Sequence, residues 1–384
     1  MNNAKFALDN ESIKLPDFAF GKEWALLELV TLGLDSSVER EMFADLLNSP
    51  NLNWQELLTQ ATRHKIANLL SASIIINNLS EAVPSNIRQQ LERVLSFNQH
   101  KIQIYRREAA KIIEVFNQKN IKFVGTKGIS VESTLYQGNG SRAMSDIDLM
   151  ILPQDRESVV QALSQLGYQM GTYDQRTNKI TPHSRAMMIK YKLNPDHLPS
   201  YVLLTDDVIT PFVEVDVANS LTWTSCPWQV SVEAALENIL VQSIPGIENI
   251  KLPVFSPQFQ FIFTILHLFK EAWIELTLNM NGKDVTLSKF GDVVRIWRRH
   301  QTILQSNNLI ELLEQFDLIQ PVVWVLEHLD RTLQTDIVSS LGLLDRVTEE
   351  WLRSAGSNRG KVRQWQGTMR ERLVCRDRRQ LFRQ

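Results

Sequence analysis

Cysteine is almost missing from this chain, with only Cys226 and Cys375 in 384 residues. The two lie far apart and have no metal-like spacing. That excludes a disulfide framework and a zinc ribbon, and it suits a reducing cytosol. Long apolar runs are missing as well. The longest, such as 261–269, fall far short of the roughly 20 residues that span a bilayer. The opening residues, Met-Asn-Asn-Ala-Lys-Phe-Ala-Leu-Asp, lack the apolar stretch of a secretion signal. A soluble, cytoplasmic protein that does not enter a membrane is therefore expected. Internal repeats and low-complexity segments are absent too. What remains is ordinary for a globular chain of two or three domains: 43% hydrophobic and 22% charged residues.

Net charge is only −2, but it is unevenly spread. From Trp351 to Gln384 there are ten Lys or Arg against Glu371 and Asp377, a local +8 that leaves −10 for the rest. Such a tail can grip RNA, phosphates or an acidic partner. It also carries apolar Val362, Trp365, Leu373, Val374, Leu381 and Phe382, so the plainer expectation is a face packed on the acidic body. Nucleic acid stays open as a partner.

Hydrophobic periodicity divides the chain into three parts. Apolar positions recur at three and four over 23–34, 37–47, 53–75 and 85–118, which predicts helices with Asn53 and Ser85 as N-caps. After Lys119-Asn120 the pattern turns strand-like, with a short β run at 121–125, a helix reaching Tyr136, and a turn at 137–140. A strand then ends at Pro153, and a helix follows over 155–166. Further strands are expected at 186–193, 201–205 and 211–217. From Ser231 the helical pattern returns, at 232–240, 257–280, 287–300 and beyond. The expected fold is α+β: an N-terminal helical region (1–118), a small α/β core (119–222), and a C-terminal helical region with the basic tail (223–384).

The most informative stretch is 142–152, Arg-Ala-Met-Ser-Asp-Ile-Asp-Leu-Met-Ile-Leu. Asp146 and Asp148 stand two apart at the entrance of an apolar strand, and residues i and i+2 of a strand face one side. An isolated Asp-x-Asp is usually a solvated turn. Two charges against a buried sheet are costly, however, and a divalent cation such as Mg²⁺, or Mn²⁺, is the usual reason to keep them. That arrangement suits nucleotidyl transfer from a nucleoside triphosphate. A third acid is expected from the alternating run 211–217, where Glu214 and Asp216 share a face. Spacing alone leaves open which one ligates; Asp216 is favoured, with Glu214 as a nearby helper.

Phosphates need donors and cations. The turn Gly125-Thr126-Lys127-Gly128-Ile129-Ser130 joins a strand to a helix, so Gly128 lets backbone approach an anion while Lys127 and Ser130 add a charge and a hydroxyl. Arg142 offers a fork for phosphate oxygens, or else forms a surface ion pair. His267 and Lys270 lie one helical turn apart and face one way. They line a nucleotide groove, or His267 is simply a core histidine. Trp273 is the tryptophan that could stack on a base, although the nine tryptophans mostly suit helical cores.

The order Lys127-Gly128, Tyr136, Arg142-x-x-x-Asp146-Ile147-Asp148-Leu149 resembles a largely uncharacterised nucleotidyltransferase family with bacterial members, within the DNA polymerase β-like superfamily. A later family element, Val-Asp-Leu-His-Trp, corresponds to Val215-Asp216-Val217-Ala218-Asn219, which keeps the acid and replaces the His and Trp. His267, Lys270, Lys289 and Asp292 fall in comparable places. The likeness runs over about 68–297. It implies a small mixed sheet flanked by helices, and the transfer of a nucleoside monophosphate, from ATP foremost, to an acceptor with Mg²⁺ and loss of pyrophosphate. The acceptor is left open among small molecules, peptides and proteins. Two competing readings are a sugar-nucleotide glycosyltransferase, which would need a larger α/β domain ahead of the motif, and a catalytically inactive nucleotide-binding scaffold.

Overall fold

A computed structural model describes residues 18–224, 226–356 and 362–382. Of the basic residues in the tail, Arg359, Lys361 and Arg383 lie outside the described residues, as does the N-terminal stretch read above.

The chain opens with helices α1 (Lys22–Leu32), α2 (Ser37–Leu47), α3 (Trp54–Arg63), α4 (Ala67–Ile76) and the long α5 (Ser85–Gln118). Asn53 caps α3 by accepting from the Glu56 N–H. The single helix expected over 53–75 is broken instead. Lys65 takes a left-handed φ of 59°, and Ile66 N–H closes back on the Ala61 carbonyl at 2.8 Å, a turn that ends one helix before the next begins. Ser85 is not the cap of α5 but its first helical residue, because Pro84 occupies the cap position.

The core follows as β1 (Phe123–Gly125), α6 (Ile129–Leu135), β2 (Ile147–Ile151), α7 (Arg156–Gln165), β3 (Gln169–Met170), a small separate hairpin of β4 (Thr172–Asp174) and β5 (Lys179–Thr181), α8 (Arg185–Leu193), β6 (Tyr201–Leu204) and β7 (Phe212–Ala218). Then come α9 (Val232–Glu237), β8 (Leu240–Ser243), β9 (Lys251–Val254), α10 (Pro257–Trp273), α11 (Glu275–Asn281), α12 (Leu287–Leu304), α13 (Asn307–Gln315) and α14 (Ile319–Leu333).

Seven strands form one mixed sheet in the order β3-β6-β7-β2-β1-β9-β8. The architecture is α+β, a mixed sheet flanked by N- and C-terminal helical regions. Strands β8 and β9 lie beyond residue 222, and β9 joins the sheet by parallel pairing of Val254 with Gly125. Three other elements depart from the sequence reading. Residues 186–193 form helix α8 rather than a strand; Ser184 caps it by accepting from the Met187 N–H, and it buries no residue, so the alternation there never meets a core. The helix read over 232–240 stops at Glu237, and Leu240 opens β8. The helix read over 257–280 is interrupted at Ile274, whose extended backbone bridges Gly356.

Strand alternation decides what each face of the sheet carries. Ile147, Leu149 and Ile151 of β2, with Val213, Val215 and Val217 of β7, turn toward α5 and α7, where Tyr105, Ile112, Phe116 and Leu163 complete one apolar core. Met150 and Ala218 turn the other way, into the core of the surrounding helices. The acids between these residues therefore share that second face. Among the described residues, no helix is long and apolar enough to cross a membrane.

The basic tail packs on the body. Arg370 pairs with Glu28 at 2.7 Å, and Arg372 and Arg378 meet Asp284 at 2.6 and 3.1 Å. Arg372 is 1% exposed, so this part of the tail is a structural clamp rather than a free cationic surface. Cys226 and Cys375 are both free thiols.

Candidate active site

Parallel pairing of β2 with β7 sets Asp148 directly beside Asp216. Asp146 sits just ahead of β2 and accepts a hydrogen bond from Ser145 Oγ at 2.8 Å. Carboxylate oxygens of Asp146, Asp148 and Asp216 lie within 4.8 Å of one another. Of the two acids the sequence could not separate, Asp216 is the one that converges with the pair. Glu214 stays on the same face two residues earlier, opposite Val202 of β6.

Such crowding perturbs ionisation. Burial, then the charges of Asp146 and Asp216, push Asp148 up to about 7, against the lowering effect of Lys127. Burial and the same acidic neighbours, Asp146 and Asp216, also raise Glu214.

Lys127 answers this charge. Its Nζ lies 2.8 Å from Asp148 Oδ1 and 3.3 Å from His267 Nε2. Burial alone would lower the ammonium, but Asp148, Asp216 and Asp146 hold it above its ordinary range. Burial and the ammonium groups of Lys127, Lys289 and Lys270 hold His267 well below its ordinary value. His267 is therefore neutral, and Lys127 donates to its Nε2.

Gly128 is required where it stands. Its φ is +47°, and a Cβ there would meet Met144 Sδ at 3.1 Å and Asp148 Oδ2 at 3.2 Å. Ser130 does not face the acids. It is 2% exposed, and its hydroxyl donates to the Lys127 carbonyl at 3.0 Å.

Arg142 is held by Asp292 across 150 residues: Nε donates to Oδ1 at 3.0 Å and Nη2 to Oδ2 at 2.8 Å. Tyr136 O–H adds a third bond to Asp292 Oδ1 at 2.7 Å. The fork expected for phosphate is thus engaged within the protein. Lys270 reaches the cleft, 3.6 Å from Asp196 Oδ2, and burial lowers its ammonium despite that partner. Lys289 pairs with Glu271 and donates to the Asp284 carbonyl at 2.8 Å. Trp273 is stacked on Phe269 at 5.1 Å between ring centres, and its N–H donates to Ser354 Oγ at 2.9 Å, which makes it part of a wall.

The three clustered acids, Lys127 and Arg142 open onto a cleft of about 1590 Å³ between the sheet and the C-terminal helices. Acids from β2 and β7, the Lys127 turn, and the His267 and Lys270 side chains of α10 all line it. Sequence reasoning missed one group on its rim, Asp196 and His197 with Thr224. His197 Nδ1 lies 3.2 Å from Asp196 Oδ2, and Thr224 Oγ1 donates to Asp196 Oδ1 at 2.9 Å. The neighbouring Asp-His dipeptide was the available signal, but nothing in the pattern tied it to residue 218, which it meets only through the sheet.

No curated protein and no solved structure matches the chain at a significant level. A family model described as uncharacterised nucleotidyltransferase matches residues 50–334, a span that contains every acid and base of the cleft named here except those of the tail. With that span covering well over half of its length, the chain belongs to the uncharacterised nucleotidyltransferase family.

Proposed function

We propose that the cleft transfers a nucleoside monophosphate from a nucleoside triphosphate, ATP foremost, to an acceptor, with pyrophosphate as the leaving group, in the cytoplasm. The observation that carries this reading is the pairing of Asp148 with Asp216, with Asp146 completing a three-carboxylate set inside 4.8 Å. An all-oxygen, triply acidic donor set fits a hard divalent cation, Mg²⁺ or Mn²⁺, and is unsuited to softer metals. The perturbed Asp148 supports the fit, because a bound cation would offset the burial first, and then the repulsion from Asp146 and Asp216, that push it up. Bound by these three residues, such an ion would polarise phosphate oxygens and offset the negative charge of the departing pyrophosphate.

The rest falls to the chain itself. Lys127, beside Asp148, supplies positive charge for phosphate oxygens, and Lys270 adds a second ammonium from α10. Neutral His267 accepts from Lys127 and so fixes its direction. Gly128 keeps the turn close to the carboxylates. The cleft volume leaves room for an acceptor alongside a nucleotide.

A panel of the four nucleoside triphosphates, each with and without Mg²⁺, tests the reading by thermal shift and pyrophosphate release. A Mg²⁺-dependent shift with release that disappears in Asp148→Asn and Asp216→Asn is the expected result. Release that survives both substitutions sinks it.

A further inference from the structure

The geometry points to His197, oriented by Asp196, as the base that takes the proton from a hydroxyl-bearing acceptor. This inference rests on the nucleotidyl-transfer reading and assigns the acceptor side of the same cleft.

Placement comes first. His197 forms an antiparallel bridge with Ala218 at the end of β7, locked by the Leu198 N–H bonding to the Val217 carbonyl and the Asn219 N–H bonding to the Asp196 carbonyl, both at 2.9 Å. Side chains of residues paired across strands stand on the same face. Ala218 shares its face with Asp216 and Glu214, so the imidazole rises beside the acid cluster. The strand rise sets its partner Ala218 about 7 Å along β7 from Asp216. A separation of that order suits a phosphate and an attacking oxygen between acid and base. Asp196, His197, Asp216, Ser220 and Thr222 all line the cleft there.

Orientation comes next. Nδ1 faces Asp196 Oδ2 at 3.2 Å, which leaves Nε2 with no hydrogen-bond partner among the described residues. Asp196 is itself pinned, by Thr224 Oγ1 at 2.9 Å and by Lys270 Nζ at 3.6 Å. Burial alone would raise it, but the hydrogen bond to His197 first, then Lys270 and Thr224, favour its ionised form and hold it down to about 2. A fixed carboxylate on one ring nitrogen sets the tautomer and makes the other nitrogen the proton acceptor. The three cluster carboxylates are poor candidates for the same task, since each is needed on the cation. An apolar Ala218 opposite His197 leaves the ring room to be approached from the cleft.

In the step, the acceptor oxygen bonds to the α-phosphorus while the bond from that phosphorus to the α,β-bridging oxygen breaks. Pyrophosphate leaves with the electron pair. The acceptor proton passes to His197 Nε2 and then to solvent.

The test measures release of labelled pyrophosphate from ATP with Mg²⁺, using glycerol and water as probe acceptors, on the full chain. The His197 side chain is 29% exposed, so substitution there leaves the core intact, and an unchanged melting temperature in His197→Gln checks this. His197→Ala should lower kcat at least about 100-fold with KM for ATP unchanged, and added imidazole should restore at least about tenfold. Asp196→Ala should lower kcat about tenfold, with Asp196→Glu recovering most of the loss. A His197→Ala rate within threefold of the parent, a defect confined to KM, or failure of imidazole to rescue overturns the inference. If the parent turns over and only the Asp148→Asn enzyme is dead, the inference falls alone. If the parent releases no pyrophosphate from any nucleoside triphosphate, the proposed function falls and takes the inference with it.

Discussion

Lys127 places its ammonium 2.8 Å from Asp148, the most buried of three carboxylates that would otherwise repel one another. In the absence of a divalent ion, that ammonium is the counter-charge for the cluster. Replacing it by methionine keeps the stem and removes the charge. Asp148, already pushed up to about 7, can then take a proton, which limits the cost to about 1–3 kcal/mol. Lys127→Met should therefore lower metal-free stability by that amount and enlarge the stabilisation that Mg²⁺ confers, while nucleotide turnover falls at least about 100-fold. Melting curves with Mg²⁺ and with chelator check it, and equal Mg²⁺ shifts in both proteins would contradict it.

Gly128 yields a second prediction, this one steric. Its positive φ of +47° strains any side chain, and the 3.2 Å approach to Asp148 Oδ2 means that a methyl group must push its neighbours aside. Gly128→Ala should cost about 1–3 kcal/mol and displace Asp148, so that Mg²⁺ affinity and turnover drop together. A variant with parental Mg²⁺ affinity in calorimetric titration would show that the turn does not position the acid.

Much of this site was legible before folding was considered. A period of two puts Asp146 with Asp148 and Glu214 with Asp216, and Gly128 after a strand announces a tight turn. Spacing alone left open which of the second pair joins the first, with Asp216 favoured, because the choice depends on the β2–β7 register, a long-range fact that sets Asp148 beside Asp216. Arg142 and Asp292 were each singled out, but no local rule pairs residues 150 apart. Residues 186–193 misled for the opposite reason. Their alternation is real, but no sheet edge receives it, and Ser184 capping with good helix formers decided the outcome. His197 was passed over because its meaning lies in its cross-strand partner Ala218.

The Arg142–Asp292 pair supplies a third prediction. Both side chains are mostly buried and joined by two parallel hydrogen bonds, with Tyr136 as an extra donor. Removing one partner strands the other charge, a loss of about 3–5 kcal/mol. Arg142→Ala and Asp292→Ala should each destabilise by about that much, and the double variant by far less than the sum. Denaturant unfolding of the four proteins measures the coupling. Additive losses would mean that the pair is not a unit, which would return Arg142 to the pool of phosphate ligands.

Two buried histidines, His64 and His328, predict how acid acts on the fold. His64 is fully buried, accepts from the Leu287 N–H at Nδ1 (3.3 Å), and is held down to about 3 by burial and then by Arg378 and Arg63. His328, 5% exposed, donates Nε2–H to the Leu352 carbonyl at 2.9 Å and is also held down to about 3, by burial first and by Arg372 and Arg331 next, although the carbonyl bond works the other way. In the unfolded chain each titrates near 6.5. Between about pH 6.5 and 3 the unfolded state therefore binds a proton at each site that the folded state refuses. Their stabilising effect is complete above pH 6.5 and is lost as pH falls, by about 1.4 kcal/mol per pH unit for each histidine. Denaturant unfolding at pH 7 and pH 5 should show a loss of about 4 kcal/mol from the two together. Gln at position 328 keeps a donor for the Leu352 carbonyl but cannot protonate, so His328→Gln should remove about half of that pH dependence while costing stability at pH 7. A variant whose stability falls with acid as steeply as the parent's would mean that His328 is protonated in the folded protein, and its packing edge-on to Trp324 at 4.6 Å would then have to accommodate a charge.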